Sequence, residues 1–201
     1  MARLKENHFD VINELTDPIV FVIDMVKGFV DMGPLHDEAI RDIETNIIGV
    51  LEKLECKNVF VCDAHPPKTR EFDSFPAHCV IGTQEAEVVD SLKPYVKSLM
   101  HKNSTNTFTC PDFEEFLEND LKYYNDIVVT GCCTDLCVLH FVLTFNAWLN
   151  EHNYTDKRII VLENCVETYH IDGVHDAYFY NDVAFKMMQA NGICVAKGIG
   201  E

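Results

Sequence analysis

Asp126–Leu139 reads DIVVTGCCTDLCVL, and its interpretation decides the fold. An apolar strand (Ile127, Val128, Val129) runs into Gly131, and a turn follows. Thr134 and Asp135 then stand where helix-capping residues belong. Cys137 falls in the first turn of a helix expected over 135–150. A helix N-terminus offers partial positive charge and free N–H donors. Both favour thiolate over thiol, and the same donors suit a developing oxyanion.

Strand and helix signals alternate on either side of this stretch. Upstream, PIVFVID (18–24) is a continuous apolar run, as expected of a strand buried on both faces. Ile40, Ile43, Ile47, Val50 and Leu54 recur at helical spacing and predict a helix over 37–54. Asn58–Asp63 reads as a second strand and 64–83 as a long loop. A helix is expected over 84–99 as far as Pro94, then a short strand over 98–102 and a helix over 111–121. Downstream come a strand over 158–163, a helix over 173–191 and a last strand over 192–196. Six strands separated by helices predict a three-layer α/β fold, a six-stranded, mostly parallel sheet with helices on both faces. Residues 1–201 are expected to form one domain. The helix over 135–150 is apolar nearly all round, which suits a central helix or a subunit interface.

Composition narrows the function. A net charge of −17 argues against nucleic acid and against an anionic membrane surface as partners. No apolar run reaches the length of a membrane span, and the start of the chain is polar, so the expected compartment is cytoplasmic, with reduced thiols. The nine cysteines include no C-x-x-C pair, which argues against a zinc ribbon or a thioredoxin-type motif and leaves most of them as small core hydrophobes.

In open α/β sheets, ligands bind beyond the carboxyl ends of the strands. Asp24, Asp63 and Lys102 end the first three expected strands, and Cys137 follows the fourth. A cysteine nucleophile needs a base for its proton, which a carboxylate supplies, and a nearby lysine stabilises the negative charge. Any one of Asp24, Lys102 and Cys137 alone is more simply a loop residue, a solvated lysine or core filler. Their convergence at strand ends favours a catalytic set.

These segments carry a family resemblance. Asp24 sits in IDMVKGF with Phe29 five residues on, Lys102 in HKNSTNTF, and Cys137 in GCCTDLCV, which matches G-x-x-T-[DE]-x-C-V. From Pro18 to about Val195 the chain resembles the isochorismatase-like cysteine hydrolases, and within them the nicotinamidases. The resemblance implies a Cys–Asp–Lys triad. Cys137 attacks a carboxamide, Asp24 carries the proton to the leaving ammonia, and Lys102 holds both in place. The acyl-thioester is then hydrolysed. It also implies a cis Cys132–Cys133 peptide, with the N–H groups of Cys133 and Cys137 facing the oxyanion, and Cys133 itself non-nucleophilic.

The segment Asp63-Ala64-His65 brings two ligand types to a strand end, and imidazole with carboxylate suits Zn²⁺, Fe²⁺ or Mn²⁺. By itself D-x-H is a weak signal. With His78 it resembles the nicotinamidase metal site, and Glu71 matches a fourth ligand of one bacterial subgroup. The resemblance implies a divalent metal, zinc first, that binds the pyridine nitrogen of nicotinamide in NAD salvage. Ala64 stands where many relatives have Trp, and Met25-Val26-Lys27-Gly28 departs from the usual D-x-Q-x-D-F. These departures leave pocket shape, and so the amide, open. Phe29 is the candidate for stacking on an aromatic substrate, with core packing equally plausible; Phe72 and Phe75 are weaker candidates. His140 is expected to be a satisfied core residue, and His170 and His175 to shape a helix start and a pocket rim. The alternatives are a related cysteine hydrolase acting on another small amide or a carbamoyl or ureido compound, and a silent binding or redox-sensing module. Members of the family are often homo-oligomers, which is the expectation here.

Overall fold

The computed structural model describes residues 15–198. Its six strands are β1 (Pro18–Ile23), β2 (Lys57–Asp63), β3 (Leu99–Lys102), β4 (Asp126–Cys132), β5 (Arg158–Glu167) and β6 (Cys194–Ala196). They form one sheet in the order β3-β2-β1-β4-β5-β6, and every neighbouring pair is parallel. The expected α/β architecture is therefore present, with the sheet wholly rather than mostly parallel. Parallel pairing needs crossovers, which is why the central strands are covered on both faces.

Alternation along β1 sorts its side chains between two cores. Val20 and Val22 pack with Ile40, Ile47 and Val50 on one face, where α1 (Lys27–Val30) and α2 (Glu44–Leu54) lie. Ile19, Phe21 and Ile23 face α3 (Pro111–Asn119), α4 (Leu139–Glu151) and α5 (Ala177–Ala190). Phe21 meets the edges of Phe113 and Phe116 at 5.9 and 5.3 Å between centroids. Each such buried ring stabilises the fold by about 1.5–3 kcal/mol. The outer side of α4 carries the exposed His140, Ala147 and Asn150, so this helix packs on one face only.

Gly131 fixes the closest approach in the sheet. It has φ 106°, and a Cβ there would lie 1.9 Å from the Ile23 carbonyl oxygen. No side chain fits between β1 and β4 at that point. The chain crosses outward in opposite directions from this pair, so it is the topological switch point at which α/β sheets bind ligands.

Several expectations change. The segment 84–99 is not a helix: it holds only short 3₁₀ turns at Gln84–Ala86 and Lys93–Tyr95. Its backbone bonds to the β1 exit instead, Lys27 N–H to Glu87 O at 2.9 Å and Val89 N–H to Met25 O at 3.1 Å. The helix expected over 37–54 begins as a 3₁₀ stretch, Glu38–Ile43, and that expected over 173–191 begins only at Ala177, capped by Asp176. Cys137 lies in a π-helical turn, Thr134–Val138, ahead of α4. Neither Thr134 nor Asp135 caps it: the Thr134 hydroxyl is buried without a partner, and the Asp135 carboxylate turns away.

Candidate active site

The exits of β1, β2 and β3 and the turn after β4 bring Asp24, Asp63, Lys102 and Cys137 to one edge of the sheet. All four are buried. Asp24 leaves β1 in the left-handed region, φ 50°, which turns its side chain toward β2. Its Oδ1 accepts the Asp63 N–H at 2.9 Å and its Oδ2 pairs with Lys102 Nζ at 2.8 Å. Lys102 also pairs with Asp63 Oδ1 and reaches Cys137 Sγ at 3.6 Å. The two carboxylates and the sulfur lie within 4.8 Å of one another around this ammonium. The Cys132–Cys133 peptide is cis.

The site sorts its titratable groups. Burial, aided by the Asp63 charge and opposed by Lys102, pushes Asp24 up to about 6. Asp63 is also buried, which acts upward, but the Lys102 ammonium holds it well below the usual carboxylate range. Burial works against the Lys102 charge as well, yet the two carboxylates hold it well above its ordinary value. Burial pushes the Cys137 thiol well up, and Lys102 offsets this only in part. The thiol is thus protonated at rest, contrary to the thiolate expected from a helix N-terminus. Burial outweighs the favourable dipole.

Asp63 shares its second oxygen with two histidines. His65 Nε2 and His78 Nε2 lie 3.6 and 3.7 Å from Asp63 Oδ2, too far for hydrogen bonds. The remote nitrogens are taken: His65 Nδ1 donates to Asn103 Oδ1 and His78 Nδ1 to the Pro76 carbonyl, each at 2.8 Å. That leaves an Nε2 lone pair on each ring facing the carboxylate, and the buried His65 Nε2 has no hydrogen-bond partner. Two imidazole nitrogens and a carboxylate oxygen within 4.8 Å form a donor set that fits a divalent cation such as Zn²⁺, Fe²⁺ or Mn²⁺. Asn103 is the orienting partner that such a histidine needs. It was not picked out in the sequence, where an Asn beside Lys102 carries no signal of its own. The carboxylate of Glu71 stands outside the group.

Beside this corner lies a cavity of about 180 Å³, lined by Phe29, Phe75, Cys133, Leu136, Tyr169 and Ile171 among others. Phe29 and Phe75 also pack against the His78 ring, at 5.6 and 6.2 Å, so they join the cavity to the donor set. Phe72 packs on both histidines but does not line the cavity. His140 is exposed rather than part of the core, and it lines a neighbouring cleft with Arg70, Asn103 and Thr105. His170 lines the cavity rim, whereas His175 is buried behind it.

A family model for the isochorismatase domain matches residues 18–193. The chain belongs to the isochorismatase family. Within it, the chain is 29% identical over 155 residues to Nicotinamidase 1 of Arabidopsis thaliana; the match covers 67% of this chain and 62% of that protein's length. The isochorismatase fold is equally plain in solved structures. A Bacillus subtilis nicotinamidase superposes with a TM-score of 0.71 at 22% identity, covering 90% of this chain and 100% of the other. N-carbamoylsarcosine amidase from Thermoplasma acidophilum gives 0.67 at 22%, covering 90% and 96%.

Proposed function

We propose that the protein is a metal-dependent amidase that hydrolyses nicotinamide to nicotinate and ammonia. The observation that carries this reading is the Asp63–His65–His78 donor set, whose Asp63 pairs with Lys102 of the Asp24–Lys102–Cys137 corner. The name of the Arabidopsis relative points the same way.

Cys137 starts as a thiol and Asp24 as a carboxylate above its value of about 6, so the proton passes from sulfur to Asp24 as Sγ attacks the carbonyl carbon. Lys102 stays charged and stabilises the sulfur as its charge develops. The N–H groups of Cys133 and Cys137 face the oxyanion. Protonated Asp24 gives its proton to the leaving nitrogen as the C–N bond breaks, which leaves a thioester on Cys137 and free ammonia. Asp24 then takes a proton from water as its oxygen attacks the thioester, and gives that proton to the leaving sulfur, which releases the carboxylic acid and restores the thiol. Asp63, His65 and His78 would hold the divalent cation, whose chemistry when bound is Lewis-acid anchoring of a pyridine nitrogen. Phe29 and Phe75 line the cavity that receives the ring.

The test is ammonia release from nicotinamide and from a panel of small amides and ureido compounds, with metal analysis on the same samples. Nicotinamide is turned over, the Cys137→Ala variant releases no ammonia above background, and its metal content matches wild type. Wild-type turnover by Cys137→Ala would overturn the mechanism. Full nicotinamide turnover after chelation would overturn the role of the metal, and turnover of a carbamoyl or ureido compound in place of nicotinamide would overturn the substrate.

A further inference from the structure

Asp135 lies two residues before Cys137 in the π-helical turn and makes no cap bond with that turn's own N–H groups. Both of its oxygens reach across to the chain that follows β5. Oδ1 accepts the Thr168 hydroxyl at 2.5 Å and Oδ2 meets His175 Nε2 at 2.9 Å. Thr168 and His175 are both buried. The other ring nitrogen of His175, Nδ1, meets the Tyr169 carbonyl at 2.8 Å. Each ring nitrogen therefore faces an oxygen, one on either side of the bridge. The Tyr169 and Tyr180 rings cover the two faces of this imidazole, each 3.9 Å away and inclined by 17° and 4°.

The segment pinned in this way is a wall of the substrate cavity. Tyr169, His170 and Ile171 line that cavity, and reciprocal 2.8 Å bonds between the Ile171 and His175 backbones close 171–175 into a tight loop. One ring thus ties the cavity wall to the turn that presents the sulfur. We propose that Asp135 and His175 are positioning residues that set the register between the bound amide and Cys137. This rests on the amidase reading in that Cys137 is the nucleophile. Neither residue touches the reacting atoms.

Asp135→Asn, Asp135→Glu, His175→Gln and the double variant Asp135→Asn/His175→Gln test the proposal in the metal-loaded full-length protein. A small misplacement of reacting groups costs up to about 100-fold in rate, so Asp135→Asn and His175→Gln each lose about 10- to 100-fold in kcat. KM for nicotinamide changes less, because the amide still enters the cavity but no longer faces the sulfur. Asp135→Glu, which keeps the carboxylate, recovers part of the loss, and the double variant is no worse than the poorer single one. Hydrogen exchange read by mass spectrometry supplies an arm that needs no turnover. Asp135→Asn exposes residues 133–138 and 168–176 together and leaves the β1 and β2 amides protected. Wild-type kcat in either single variant, additive losses in the double, or exposure of only one of the two segments would overturn the proposal. If the wild-type protein hydrolyses no amide, the amidase reading fails, and the exchange arm still decides whether the bridge couples the two segments. If Asp135→Asn does not fold, His175→Gln carries the same comparison.

Discussion

β1 and β2 lie side by side, and each delivers a buried aspartate to the same lysine. The first, Asp24, gives one oxygen to a neutral backbone N–H and the other to Lys102. The second, Asp63, gives one oxygen to Lys102 and turns the other toward two histidine rings. At Asp24 burial and the neighbouring carboxylate win, and the group is pushed up to about 6. At Asp63 the Lys102 ammonium wins, and it stays charged. A pair of like groups driven apart by their surroundings is how one site assigns separate duties, here a proton carrier and a fixed ligand.

The sharpest way to break that comparison is to neutralise each aspartate in turn. Asp24→Asn lowers turnover by about 10²- to 10⁴-fold, the range for a lost general base, while bound metal measured by elemental analysis stays at the wild-type level. Asp63→Asn loses the metal as well as turnover. Equal metal loss in both variants would abolish the division of duties. A smaller effect follows from Asn103→Ala, which frees the His65 ring: metal affinity in a competition titration drops about 10- to 100-fold, with kcat restored at saturating metal. The proton-carrier assignment fixes the acid limb of kcat/KM. Below its midpoint Asp24 holds a proton and cannot take the one from Cys137, so the rate falls about tenfold per pH unit. That limb lies at or below pH 6, because a cation on Asp63 cancels the charge that helps to raise Asp24. A limb centred above pH 7 would place the base elsewhere. The smallest effect is expected of Glu71→Gln, which leaves metal stoichiometry unchanged because its carboxylate stands outside the donor set. Loss of metal there would restore it as a ligand.

Much of this was legible in the chain. The runs at Pro18–Ile23 and Ile127–Val129 are apolar without alternation because both faces of the central strands are covered, so pattern and burial agree. Asp24, Asp63 and Lys102 could be read as strand ends because the apolar runs stop there. Residues 84–94 misled because Val88, Val89 and Leu92 sit at helix-compatible spacing, whereas their burial comes from contact with the β1 exit. His140 misled because an apolar helix was taken as buried all round, and one face of α4 meets solvent. Asp135 was read as a cap from local position alone. Its partners, Thr168 and His175, lie 33 and 40 residues away, and no local rule pairs them. The thiolate expected at Cys137 failed for a similar reason, since burial is a property of the whole fold.

The spacing of the site along the chain has a consequence for biosynthesis. Lys102 stands 39 residues from Asp63 and 35 from Cys137, and Asp24 a further 39 before Asp63. Each member therefore arrives one crossover after the last, and every contact among them waits on a costly long-range loop closure. A ribosome that has made the chain through β3 has supplied both carboxylates and the ammonium that neutralises them. It has not yet supplied the sulfur. Until β4 emerges, the side of β1 that will receive it is an open apolar edge, the kind of surface that recruits other chains. The strand that covers this edge leads straight into the turn that carries the reactive thiol, so the chain covers that edge of β1 as it acquires its nucleophile.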